Sequence, residues 1–210
     1  MLNELKEQQL LLGELERALD NHEFCFFLQP KCNSITRAIV GMEALVRWNH
    51  PTRGCVQPSE FMPLLESTGL ITRLDQYIWE EVCKTIRVWI DEGVRPMPIT
   101  VNVTKTDILA IDVAEFFSGM LKKYRIPPKY LDIDISRTAY LETHDVLSET
   151  VAQLQQMGFR VVLDGFDGGV ASCEVHINKP DPKIYKALLD KYSLKAEECV
   201  FIDDRLENCL

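Results

Sequence analysis

Ile39-Val40-Gly41-Met42-Glu43-Ala44-Leu45-Val46-Arg47-Trp48-Asn49-His50-Pro51 opens as an apolar run and closes on a turn signal. That is the pattern of a buried strand with polar groups toward its C-terminal end. Glu43 and Arg47 are four residues apart, and an even spacing puts both on one face of a strand. A carboxylate and a guanidinium aimed into a common space suit a metal ion beside a phosphate. A strand-end ion pair fits the same spacing. On spacing alone the strand-end ion pair is the favoured reading.

Strands and helices alternate outward from it. Phe24 to Leu28 predicts a short apolar strand ended by Gln29-Pro30, and Pro51 to Gly54 a loop. Pro58 to Glu66 and Leu74 to Ile90 predict helices, with Gly69 and Gly93 as stops. Ile99 to Val103 predicts a β-branched strand with Asn102 embedded in it. Ile111 to Tyr124 predicts a helix that stops before Pro127-Pro128. Leu131-Asp132-Ile133-Asp134-Ile135 alternates with period two. Asp145 to Met157 predicts a helix, and Phe159 to Leu163 a strand running into Asp164. Residues 1–22 carry leucines among charged residues and predict a separate amphipathic helix.

Such alternation implies parallel pairing through right-handed crossovers. Glu43, Asn102, Asp134 and Asp164 recur near strand ends, which share one face in a (β/α) barrel. Four oxygen donors on one rim suit a hard divalent cation such as Mg²⁺ or Mn²⁺, although each alone is an ordinary strand-end polar group.

Composition narrows the classes further. The chain has 210 residues, 46% hydrophobic, enough for one core, or one domain plus a fragment. The net charge of −9 argues against general nucleic-acid binding. No apolar run reaches membrane-spanning length, and the first twenty residues lack a signal peptide's apolar core. The seven cysteines show no Cys-x-x-Cys spacing, so reduced thiols in a cytoplasm are expected.

With these residues in view, 10–172 resembles the EAL-domain family of bacterial cyclic di-GMP phosphodiesterases. The resemblance rests on Gln29-Pro30, Glu43-Ala44-Leu45, Trp48-Asn49-His50-Pro51, Gly54, Pro58-Ser59-Glu60-Phe61, Glu66-Ser67-Thr68-Gly69-Leu70-Ile71 and Val101-Asn102-Val103. It implies a TIM-like barrel with an atypical first strand and two Mg²⁺ or Mn²⁺ ions that activate a water against a phosphodiester. Glu43, Asn102 and Asp164 match metal ligands of the family. Asp134 stands where the family has a ligand Glu. Arg47 matches a phosphate contact, and Gln29 a polar contact to the ligand.

The departures bear on catalysis. The family's Asp-Asp-Phe-Gly is here Asp164-Gly165-Phe166-Asp167, so Gly165 replaces an acid that serves the second metal. The family's second Glu in Glu-x-Thr-Glu is Arg137. After residue 172 nothing matches the family's catalytic Lys, its further metal-binding Glu or its ligand-binding Gln.

Residues 174–208 instead resemble haloacid-dehalogenase-like hydrolases, through Asn178-Lys179-Pro180-Asp181-Pro182 and the pair Asp203-Asp204 after Val200-Phe201-Ile202. Lys179, Asp203 and Asp204 match positions that steady a phosphorylated aspartate and hold Mg²⁺ there. That family's nucleophilic Asp-x-Asp is missing, so a working phosphatase of that type is not expected.

The expected fold is α/β: an incomplete TIM-like (β/α) barrel, open or distorted, because the strands fall short of the eight or so a closed barrel needs. A C-terminal helix-strand fragment follows, from a helix at 182–192 and a strand at 199–203. The expected divisions are 1–22 (helix), 23–172 (truncated EAL domain) and 173–210 (dehalogenase-like fragment). The expected function is cyclic di-GMP signalling with phosphodiester hydrolysis impaired or lost. Two alternatives stand beside it: an active phosphodiesterase whose missing groups come from the tail or a second subunit, and a nonfunctional hybrid or interaction module. The expected partners are cyclic di-GMP and a second copy of the chain, as a homodimer.

Overall fold

The computed structural model describes residues 2–33, 36–136 and 144–164, together with Lys186. Arg137, Gly165, Asp167, Lys179, Asp203, Asp204 and the strand expected at 199–203 lie outside the described residues. Of the helix expected at 182–192, only Lys186 is described, and it is helical.

The amphipathic opening segment forms α1 (Leu2–Asp20), which buries Leu15, Ala18 and Leu19. Two long strands follow, β1 (Phe24–Cys32) and β2 (Ile39–His50), paired antiparallel from Phe24 opposite Trp48 to Lys31 opposite Gly41. Thus Gln29-Pro30 does not end β1 as the sequence suggested. Among the described residues β1 is an edge strand, where a proline's missing N–H need not break a ladder. Gly54, expected to close a loop, opens the short β3 (Gly54–Val56), which folds back on β2.

Helix α2 (Pro58–Thr68) starts with Pro58 at a first-turn position and ends at Gly69, whose φ of 75° is left-handed. Helix α3 (Ile71–Asp91) buries Ile71, Leu74, Ile78, Val82 and Ile86 at three- and four-residue spacing, a continuous apolar stripe. Strand β4 (Ile99–Val103) leads to α4 (Lys105–Ala110), which the sequence did not signal. A reciprocal cap between Thr104 and Asp107 holds that short helix. The helix expected from Ile111 begins later, as α5 (Val113–Tyr124), because the Asp112 side chain accepts from Glu115 N at 2.8 Å and sets the start there. Strand β5 (Leu131–Ser136), α6 (His144–Gln156) and β6 (Arg160–Asp164) complete the described elements.

The sheet runs β1-β2-β4-β5-β6, with β3 beside β2. Strands β2, β4, β5 and β6 are parallel. Strands β1 and β3 pair antiparallel with β2, with no crossover helix between them and it. Parallel pairing, implied by the alternation, holds for the other four, and the antiparallel β1 is atypical, as the resemblance implied for the first strand. Ile99, Val101, Val103, Leu131, Ile133 and Ile135 are buried in the same core as the α3 stripe. The alternate positions Thr100, Asn102, Asp132 and Asp134 therefore face the other side of the sheet. One face holds the helices and the other collects the polar groups. At Gly41 a Cβ would lie 3.1 Å from Pro98 O, so the close entry of β2 against the segment before β4 favours glycine.

One buried polar contact carries a stability consequence. The Asp107 Oδ2 carboxylate oxygen is taken by the Thr104 N–H at 2.8 Å and the Thr104 hydroxyl at 2.7 Å. Asp75 on α3 faces Asp107. Burial first, then the Asp107 charge and hydrogen bond, then Glu66, push the Asp75 carboxyl well above the usual carboxylate range. The folded protein thus holds this proton more tightly than the unfolded chain does. The stability it contributes is full below the ordinary carboxylate pKa and is lost as pH rises through the raised value. Asp75→Asn supplies a permanent amide donor. Thermal melts between pH 5.5 and 8 should therefore decline less steeply for the variant than for the wild type, by a few degrees over the range. Parallel declines would show that the two carboxyls share no proton.

Candidate functional site

Strands β2, β4 and β5 bring Glu43, Asn102 and Asp134 together. Asn102 and Asp134 are direct partners in the β4–β5 ladder. Glu43 is level with Thr100 in the β2–β4 ladder, and its Oε1 accepts from Asn102 Nδ2 at 3.3 Å. The Asn102 backbone is fixed from behind, where the buried Trp79 indole N–H donates to its carbonyl at 3.0 Å. Asp164 closes β6 opposite Ser136, two residues beyond the level of Asp134 in the ladder.

A lysine that the sequence reading passed over completes the cluster. Lys31 Nζ lies 3.9 Å from Glu43 Oε2 and 3.7 Å from Asp134 Oδ2, with its side chain 11% exposed. Strands β1 and β5 are three spacings apart in the sheet order, about 14 Å if the sheet were flat. Their side chains meet because the sheet curls, as in a barrel wall. Below Asp134 on the same strand, Asp132 is buried and pairs with Arg160, its ladder partner on β6. Burial raises the Asp132 carboxyl above its ordinary pKa, and the Arg160 and Lys31 charges oppose that rise. The sequence signal for Lys31 was present: it lies two residues past Gln29, on the same strand face. Ending the strand at Pro30 hides it.

Gln29 stands opposite Glu43 in the β1–β2 ladder and is exposed. Arg47, four residues along β2, turns away from the carboxylates. Its Nη1 donates to Val46 O at 2.7 Å, and its guanidinium carbon lies 5.5 Å from the centroid of the Phe27 ring. The Glu43–Arg47 ion pair that the spacing favours is not formed, since Glu43 pairs with Lys31. Phe27 is 55% exposed on the same face, so Arg47 and Phe27 present a cation and an apolar ring side by side.

The family model for the EAL domain matches residues 12–182. The chain belongs to the EAL-domain family. Among curated relatives, the bifunctional diguanylate cyclase/cyclic di-GMP phosphodiesterase MucR of Pseudomonas aeruginosa is 29% identical over 167 residues, covering 80% of this chain and 24% of that protein. The cyclic di-GMP phosphodiesterase RocR of the same organism is 27% identical over 195 residues, covering 91% of this chain and 49% of that protein. The chain thus spans between a quarter and a half of these relatives. The solved MucR phosphodiesterase in complex with c-di-GMP superposes with a TM-score of 0.74 at 26% identity, covering 88% of this chain and 84% of that one. The EAL fold is a TIM-like barrel, and among the described residues of this chain its sheet is not closed.

The donor set of this EAL chain suits a hard divalent ion: two carboxylates and an amide oxygen, from three neighbouring strands. No group of three or more His, Cys, Asp or Glu side chains poised for a metal occurs among the described residues. The third charged group at the cluster is Lys31, a cation. A cavity of about 380 Å³ lined by Arg95, Pro96, Met97, Pro98, Lys129 and Tyr130 lies where the chain enters β4 and β5, at the end of those strands away from Asn102 and Asp134. No helix among the described residues is long and apolar enough to cross a membrane.

Proposed function

We propose that this EAL chain binds cyclic di-GMP at the rim built by Glu43, Asn102 and Asp134 and hydrolyses it weakly or not at all. One observation carries the reading: oxygen donors from three adjacent strands meet within side-chain reach, with Asn102 hydrogen-bonded to Glu43. Glu43, Asn102, Asp134 and Asp164 would hold Mg²⁺ or Mn²⁺, the amide offering its oxygen once its N–H₂ is given to Glu43. When bound, such ions orient a water and take up charge on phosphoryl oxygens. Gln29, beside Glu43, serves as a polar contact. Arg47 is the phosphate donor, its planar fork matching a phosphodiester, while Phe27 gives a base or ribose an apolar surface.

Impaired turnover follows from composition. Gly165 stands where the family places an acid for its second metal, and Arg137 reverses a family carboxylate. Two-metal chemistry needs both ions, because one activates the water and the other supports the leaving oxygen. Residues 173–210, with Lys179, Asp203 and Asp204, are read as a dehalogenase-like fragment without the nucleophile of that family. The protein is read as cytoplasmic, with homodimerisation through the EAL domain.

The deciding experiment incubates the purified chain with cyclic di-GMP and Mn²⁺ and separates the products chromatographically. The expected result is an elevated melting temperature with ligand present and little linear dinucleotide. Sustained release of linear product would overturn the impaired reading and favour the alternative in which the tail or a second subunit completes the site. Absence of any ligand-dependent stabilisation would favour an interaction module.

A further inference from the structure

The position between the two rim carboxylates is already held by a cation of the chain itself. Lys31 Nζ sits 3.9 Å from Glu43 and 3.7 Å from Asp134, with 11% of its side chain exposed, and Asp134 is 6% exposed. The Lys31 charge also reaches Asp132, one alternate position down β5. The register explains the placement. Lys31 is opposite Gly41, and glycine leaves no side chain between the lysine stem and the concave face of the sheet. A divalent ion on Glu43 and Asp134 would sit next to a fixed positive charge in a partly shielded space, where repulsion is weakly screened. The lysine's flexible stem permits it to move aside, at the cost of both ion pairs.

We propose that Lys31 is an internal counter-ion that competes with divalent metal for the Glu43–Asp134 position, so that the chain's metal affinity is set by displacement of its own ammonium. This rests on the metal-site reading above. Without metal, Lys31 neutralises one of two facing carboxylates and keeps β1 docked against β5. With metal, the ammonium is released toward the mouth of the site, on the strand face that Gln29 shares.

The test is calorimetric titration of Mn²⁺ into the wild-type chain, Lys31→Met and Lys31→Gln at one fixed pH, with thermal melts in EDTA and in Mn²⁺. Methionine is one atom shorter than lysine and removes the charge; glutamine, of the same length as methionine, does so with a polar end, in case the apolar variant folds poorly. The expected result is Mn²⁺ affinity at least about tenfold higher in the variants, melting below wild type in EDTA, and recovery of that loss in Mn²⁺. Equal or weaker Mn²⁺ binding by folded variants would overturn the counter-ion role while leaving the metal site standing. Absence of Mn²⁺ binding in all three proteins would overturn the metal-site reading itself.

Discussion

Glu43→Ala is expected to lower metal-dependent binding of cyclic di-GMP by at least about a hundredfold, or about 2.7 kcal/mol. The residue contributes twice: its carboxylate is a proposed metal ligand, and its Oε1 holds the Asn102 amide at 3.3 Å. Removing it deletes one donor and frees the orientation of another. It also leaves Lys31 to pair with Asp134 alone, which favours the ammonium over an incoming metal ion. The fold should survive, because Glu43 is partly exposed and outside the buried core. Calorimetry with and without Mn²⁺, beside a thermal melt, separates loss of binding from loss of structure. Glu43→Gln should lose nearly as much, since a neutral amide is a poor substitute for a metal-binding carboxylate. Wild-type affinity in a folded Glu43→Ala chain would place the ligand elsewhere.

The second large effect lies behind the site. Trp79 is 1% exposed on α3, and its ring meets Phe117 at 4.8 Å and Phe116 at 5.4 Å between centroids. Its indole N–H donates to Asn102 O at 3.0 Å. Trp79→Ala should cost about 3–5 kcal/mol of stability through the lost burial and the cavity left behind. Urea denaturation read by circular dichroism measures this. Trp79→Phe retains most of the packing but orphans the Asn102 carbonyl, at a cost of about 1–3 kcal/mol. The phenylalanine variant is the more informative about function. If Trp79 fixes β4 where it carries Asn102, ligand affinity should fall in that variant even at temperatures where it is fully folded. Unchanged affinity would make Trp79 a core residue only.

The parts of the fold governed by periodicity were legible. The α3 stripe and the alternation at Leu131–Ile135 each follow one repeat, and both elements formed where expected within a few residues. Grouping Asn102 with Asp134 needed only the rule that parallel strands present their ends together, and the ladder sets them side by side. Glu43, expected near a strand end, lies mid-way along β2 and joins them because the β2–β4 ladder runs only from Met42 to Glu43. What was not legible depended on tertiary context. Pro30 is a strand breaker in isolation but is tolerated on the edge strand β1. That error hid Lys31, because its role requires both a strand that continues past the proline and a sheet curled enough to bring β1 to β5. Helix α4 is six residues long and is held by the Thr104–Asp107 cap, too short for any apolar repeat to announce it. Spacing likewise favoured the wrong partner for Glu43: Arg47 lies on the same strand face, yet Lys31 from the neighbouring strand makes the pair.

The central claim is the proposal that this EAL chain binds cyclic di-GMP at a metal-dependent site and hydrolyses it weakly or not at all. Calorimetric titration of cyclic di-GMP into the protein, in Mn²⁺ and again in EDTA, with the recovered ligand analysed afterwards, tests it most directly. The account predicts saturable binding in Mn²⁺, binding at least about tenfold weaker in EDTA, and ligand recovered as the intact cyclic dinucleotide. Equal binding in both buffers, or ligand recovered as the linear dinucleotide, would contradict it.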